Sequence, residues 1–383
     1  MPENWQIGGF GLYIHWPFCA AKCPYCDFNS HVVTQIDQKA WKQAYLAEIT
    51  RVSLETSDRV LTSVFFGGGT PSLMDPDVVA AIIDAIHAKW TVANDLEITL
   101  EANPTSVEAG RFAGYRQAGV NRVSLGVQAL NDSDLRALGR LHSVSEAMQA
   151  LEIARNEFSR ISFDLIYARQ EQDLADWGTE LRHALALEPD HLSLYQLTIE
   201  GGTAFGDRYD RGLLRGLPTE DLGADMYLLT QELCENSGLP AYEVSNHAKV
   251  GLESRHNLIY WRGGDYVGIG PGAHGRLTFG GQRFATETAL APVKWLQQVN
   301  STGSGELSRT LLNSAEVDSE CLMMGLRIVE GIDLGRLSDI DLYTKKVSYL
   351  QDLGLLERQG DQIMATSTGR PILNALVREL MPD

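Results

Sequence analysis

The chain predicts an α/β fold: a partial barrel of six β/α units, an irregular segment, and a small C-terminal α+β module that is winged-helix-like. Three observations carry this. Six apolar, β-branched runs alternate with helical patterns over residues 1–238; polar or glycine residues follow each run; and the pattern changes twice afterwards, near Leu239 and near Glu306. Strands alternating with helices imply parallel strands joined by crossovers. A closed eightfold barrel takes about 250 residues, so six repeats predict an open one.

The runs cover residues 11–16, 63–66, 96–100, 122–127, 161–166 and 191–197. Between them apolar residues recur at three- and four-residue spacing, as at Val78, Val79, Ile82, Ile83 and Ile86, which is a helical face. Asp75 with Pro76, and Pro104 with Thr105, supply helix-start signals. Barrel chemistry gathers at the C-terminal ends of the strands. There the sequence puts a cysteine loop, the run Gly67, Gly68, Gly69, Thr70, then Glu101 to Pro104, Gln128 and the turn at Tyr167, with Asp164 inside the fifth strand. Residues 239–305 are rich in Gly, Asn, His and aromatics and read as irregular. From Glu306 helical periodicity returns, and the chain closes as helix, strand, Gly-Asp turn and strand. The expected domains are therefore 1–238, 239–305 and 306–383.

The 383 residues carry 50 acidic against 32 basic side chains, a net charge of −18. That charge disfavours sequence-independent contact with phosphate backbones, so no nucleic-acid partner is expected. Within 306–383 acidic residues outnumber basic ones by 13 to 8, which does not suit a DNA reader. No signal peptide and no membrane span is expected, the longest apolar run being interrupted by Asp84. Cysteine usage points to a reducing compartment, and a cytoplasmic location is expected. Cys234 and Cys321 stand alone in apolar helical contexts and read as buried small hydrophobes.

Cys19, Cys23 and Cys26 lie within eight residues. The C-x3-C-x2-C spacing turns three thiolates toward one centre. A [4Fe–4S] cluster normally takes four cysteines, one per iron, so three leave one iron open to a small molecule. The competing reading is a closed zinc site completed by His15 or His31.

With the cysteine loop followed by Gly67, Gly68, Gly69 and Thr70, the chain resembles the radical S-adenosylmethionine (SAM) superfamily. Within it, the chain is similar to the oxygen-independent coproporphyrinogen III oxidase group, over nearly its whole length. The resemblance implies that SAM chelates the open iron and that one electron cleaves its sulfonium, with an electron donor as partner. It implies cluster ligation by Cys19, Cys23 and Cys26. It also implies SAM contacts by Tyr13, Tyr25, Gly68, Gly69, Thr70, Glu101, Gln128, Arg140 and Asp164. Glycines let backbone approach the cofactor; carboxylates suit its ammonium and ribose hydroxyls, and Arg140 its carboxylate.

Two departures separate the chain from the oxidases themselves. Phe28 stands where they carry a further cysteine, and only twelve residues precede Tyr13. Both match the heme-chaperone branch of the group. So does His256-Asn-Leu-Ile-Tyr260-Trp261, an H-N-x-x-Y-W pattern associated with heme-binding members, in which an imidazole suits heme iron and flat aromatics suit a porphyrin face. The expected function is heme binding and transfer to an acceptor protein, with His256, Tyr260 and Trp261 at the heme and His247 or His274 as rival ligands. A coproporphyrinogen oxidase, a radical SAM C-methyltransferase and an RNA-modifying enzyme are the alternatives. No catalytic residue is assigned. Cleavage of SAM in the working cycle, and docking to a membrane surface, stay open.

Overall fold

The computed structural model describes residues 3–381. All six expected strands are present: β1 (Phe10–Trp16), β2 (Val60–Gly68), β3 (Thr91–Ala102), β4 (Arg122–Gln128), β5 (Arg160–Tyr167) and β6 (His191–Gln196). They lie side by side in chain order, every neighbouring pair parallel. Crossover helices begin where the sequence offers a cap. Asp37 accepts from the Ala40 amide ahead of the helix Gln38–Thr56, Pro76 opens Pro76–Lys89, and Ser143 with Glu146 forms a capping box for Val144–Glu157. The helix Pro76–Lys89 buries Val78, Val79, Ile82, Ile83 and Ile86, the face its spacing predicts.

Residues 239–305 depart from the expectation. They add β7 (Asn246–Ala248), the helix Arg255–Trp261, β8 (Asp265–Ile269), β9 (His274–Phe279), β10 (Gln282–Thr288) and the helix Pro292–Thr302. With β11 (Glu306–Leu311) they extend one eleven-stranded sheet in the order β11-β10-β9-β8-β1-β2-β3-β4-β5-β6-β7. β8 is parallel to β1; β9, β10 and β11 continue antiparallel. The signal was hidden because buried strand positions here are polar. Asp265, fully buried at the start of β8, meets Arg59 at 2.6 Å, Arg283 at 3.1 Å and the Thr278 hydroxyl at 2.9 Å. Such a buried carboxylate is tolerated because it is saturated with donors. Trp295 then stacks on Trp41, centroids 5.5 Å apart, and fastens the added helix to the barrel.

Regular structure of the C-terminal module starts at Ser314, since 306–311 forms the sheet edge. The module comprises the helices Ser314–Gly325, Ile340–Asp352 and Leu373–Leu380 around a three-stranded antiparallel sheet of β12 (Ile332–Asp333), β13 (Leu356–Gln359) and β14 (Gln362–Ala365). It has its own apolar core, including Leu322, Tyr343, Val347, Ile363 and Leu380.

Candidate functional site

The cysteine loop leaves the C-terminal end of β1 and is tied at both sides. The strand pair Phe18–Cys19 and His31–Val32 closes its base, and the Phe205 amide donates to Pro24 O at 2.8 Å across its tip. Cys19, Cys23 and Cys26 are half-buried. Burial raises the Cys19 and Cys26 thiols above the ordinary range, so metal binding must displace their protons. Thr70 donates to Cys19 Sγ at 3.5 Å, and Arg140 Nη1 to Cys23 Sγ at 3.2 Å. Asn103 links the two donors: its Nδ2 reaches Thr70 Oγ1 at 3.2 Å, and Arg140 Nη2 reaches its Oδ1 at 2.5 Å. Asn103 thus joins the expected site residues although reading by motif did not single it out; its sequence signal is a polar side chain just past a strand end.

The glycine run is required by packing of β2 against this loop. A Cβ on Gly69 would stand 2.7 Å from Phe18 O, and one on Gly68 2.6 Å from the His15 ring, at a φ of +111° that side chains rarely adopt. The amides of Gly69 and Thr70 instead bond Trp16 O and Phe18 O. The run therefore sets the height of the cysteine loop over the barrel. Gln128 closes β4 at a bulge with φ of +73°, where Gly126 O accepts from Arg140 at 2.9 Å. Tyr25 packs beside Cys23 and Arg140 and toward Phe205.

Below the rim the barrel encloses a cavity of about 170 Å3 whose lining includes Tyr13, Glu101, Arg122, Asp164, His256 and Tyr260. Burial, then the neighbouring Asp164, pushes the Glu101 carboxyl up to about 8; burial pushes Asp164 up to about 6. The groups facing this pair are Arg122, Tyr13, Tyr260 and His256, and the Gly68 amide donates to Glu101 at 3.3 Å. Both carboxyls titrate higher folded than unfolded, so the folded chain holds more protons and loses stability as pH rises. That loss spans 4.5 to about 8 for Glu101 and 3.8 to about 6 for Asp164. Glu101→Gln should therefore gain Tm relative to wild type at pH 8 compared with pH 5, read by thermal melts of the cofactor-free chain. Parallel pH profiles would refute the assignment.

The H-N-x-x-Y-W helix Arg255–Trp261 lies at the opposite end, under the N-terminal ends of the strands. Glu97 of β3 accepts from the amides of Arg255 and His256, and Arg160 at the start of β5 donates to Leu252 O and Glu253 O. His256 is buried, with Nδ1 2.9 Å from Ser63 Oγ, Nε2 2.7 Å from Tyr260 OH, and its ring stacked on Phe65. Burial lowers its pKa to about 3. In this conformation His256, expected at the heme, has both ring nitrogens engaged inside the barrel. Trp261 points the other way, into the C-terminal module, with the Arg327 guanidinium 4.7 Å above its ring. His247 is buried in β7, and His274 is exposed at the start of β9.

The residues fit a cubane on the cysteine loop. Three thiols, two of them already receiving hydrogen bonds from Thr70 and Arg140, line one loop, with the buried Ser30 hydroxyl beside Cys19 and Cys26. Among the described residues no three His, Cys, Asp or Glu side chains meet at the spacing a single ion requires, whereas a cubane takes one thiolate per iron and spreads its ligands. The histidines of the zinc reading are committed elsewhere: His15 to Tyr13 and Asn29 O, His31 to Asn29 Oδ1.

A parallel partial barrel with a three-cysteine loop seated on a glycine strand end defines the class. The chain belongs to the radical SAM superfamily, whose family model matches residues 13–181. It is 42% identical over 276 residues to the heme chaperone HemW of Escherichia coli strain K12, covering 72% of each chain. It is 38% identical over 384 residues to the mitochondrial radical S-adenosyl methionine domain-containing protein 1 of Bos taurus, covering 97% of this chain and 87% of that one. Coproporphyrinogen III oxidase (HemN) from Escherichia coli shares the fold, with a TM-score of 0.81 over 97% of this chain and 90% of that one at 21% identity. Membership implies a [4Fe–4S] cluster and SAM. Among the described residues no helix is long and apolar enough to cross a membrane.

Proposed function

We propose that the chain is a cytoplasmic heme chaperone that binds heme and hands it to an acceptor protein. The observation that carries this reading is the 42% identity to a heme chaperone, together with Phe28 on the cysteine loop, 59% exposed, where the oxidases carry a further cysteine. Cys19, Cys23 and Cys26 would hold the cluster, which, reduced by an electron donor, supplies one electron to bound SAM. Tyr13, Tyr25, Gly68, Gly69, Thr70, Glu101, Gln128, Arg140 and Asp164 would form the SAM site. Glu101 and Asp164 would accept from the cofactor's hydroxyls or ammonium. Arg140, already donating to Cys23 and Asn103, would act on SAM chiefly by positioning the cysteine loop. His256 and Tyr260 would meet heme only in a state where their helix has left the barrel base; Trp261 already faces the module proposed to be winged-helix-like.

Asp164→Ala should weaken SAM binding by about 1–3 kcal/mol with cluster content unchanged, as expected for one lost charge-assisted hydrogen bond. Unchanged SAM affinity would make Asp164 an ordinary barrel carboxylate. The function itself is tested by anaerobic reconstitution followed by parallel hemin titration and coproporphyrinogen turnover. Hemin binding without turnover supports the chaperone. Turnover without hemin binding would overturn it in favour of the oxidase.

A further inference from the structure

The C-terminal module carries a groove of about 310 Å3 that the barrel site does not use. It runs between the helices Ser314–Gly325 and Leu373–Leu380 and is lined by Met323, Arg327, Leu373, Val377, Arg378 and Met381, among others. Its floor is apolar, since Leu373 and Val377 belong to the module's core. Met323 stands at its edge, 43% exposed, so its thioether is open to the groove. In a chain of net charge −18 this groove is flanked by two guanidiniums.

Each part of this lining selects a ligand feature. An apolar slot takes a flat apolar body. Thioethers are soft donors that ligate heme iron. Guanidinium forks match carboxylates. An apolar peptide helix would use the slot and the methionines but leave the exposed Arg378 guanidinium unused, whereas Arg327 already has Glu243 and Trp261 as partners. A ring system with a central soft-accepting iron and two carboxylate arms uses all three features at once. Arg327 also joins the groove to the H-N-x-x-Y-W motif: it lies over the Trp261 ring, donates to Glu243 at 3.2 Å, and its Nε is buried without a hydrogen-bond partner.

We propose that this groove is the heme site of the closed protein, with the propionates at Arg327 and Arg378 and the iron within reach of Met323 or Met381. The proposal rests on the heme-binding reading above and names where that binding occurs. It moves the ligand from the imidazole inside the barrel to the thioethers of the C-terminal module.

The test titrates the full-length protein with hemin and with hemin dimethyl ester, which lacks the free carboxylates. Arg378→Glu tests the anion contact at an exposed position, and a Met323→Leu, Met381→Leu double variant removes both sulfurs while keeping apolar volume. Wild type should prefer hemin to the ester. Arg378→Glu should lose roughly tenfold or more in hemin affinity and with it that preference. The double leucine variant should shift the Soret band. If wild type binds hemin and these variants bind it with unchanged affinity, preference and spectrum, the groove is wrong and the chaperone reading survives. If wild type does not bind hemin, both fall together.

Discussion

Replacing any one of Cys19, Cys23 or Cys26 by alanine should leave anaerobically reconstituted protein without its cluster absorption, an all-or-none loss. Two thiolates cannot hold a cubane that has already given up one protein ligand. No nearby side chain substitutes, because His15 and His31 are engaged by Tyr13 and Asn29. Cys234→Ala is the matched control: burial pushes that thiol up to about 12, and it sits in the barrel core at zero exposure. Iron and sulfide analysis with the visible spectrum reads the outcome. Cluster loss in Cys234→Ala, or retention in any of the three loop variants, would break the assignment.

Glu97→Ala should cost about 3–5 kcal/mol, the range for removing one partner of a buried ion pair. Glu97 is 2% exposed and pairs with Arg160 at 2.6 Å, while its other oxygen accepts from the Arg255 and His256 amides at 3.0 and 3.4 Å. One substitution therefore removes the charge partner of Arg160 and the acceptor of two amides in the first turn of the helix that closes the barrel base. Denaturant unfolding measures the cost, and hydrogen exchange should show the loss of protection concentrated in residues 252–262. A variant as stable as wild type, or one with protection lost evenly along the chain, would show that this carboxylate does not hold the base shut.

Much of this was legible in order along the chain. The six barrel strands could be read because each is a local run of apolar residues flanked by capped helices, so period and punctuation both lie within about ten residues. The cysteine spacing and the glycine run were legible for the same reason. Residues 265–288 were not, because several of their buried positions are polar and are satisfied only by tertiary partners: Asp265 by Arg59, Thr278 and Arg283. Asn103 was missed because its bonds to Thr70 and Arg140 reach partners 33 and 37 residues away in sequence.

By itself the sequence determined the barrel repeat, the three-cysteine loop and the superfamily, since each rests on short-range spacing that constrains the backbone directly. Where the H-N-x-x-Y-W motif points was decided only by the tertiary structure. The motif's seven-residue helix has His256 on one side and Trp261 on another, and either could have faced a ligand. Long-range contacts made the choice: Glu97 caps the helix beneath the barrel, Ser63 takes one nitrogen of His256, and Arg327 meets Trp261. A buried polar ring must have its partners; Tyr260 is on the same helix, but Ser63 and the stacked Phe65 lie on β2, so the burial of His256 followed from the packing of that helix against the barrel.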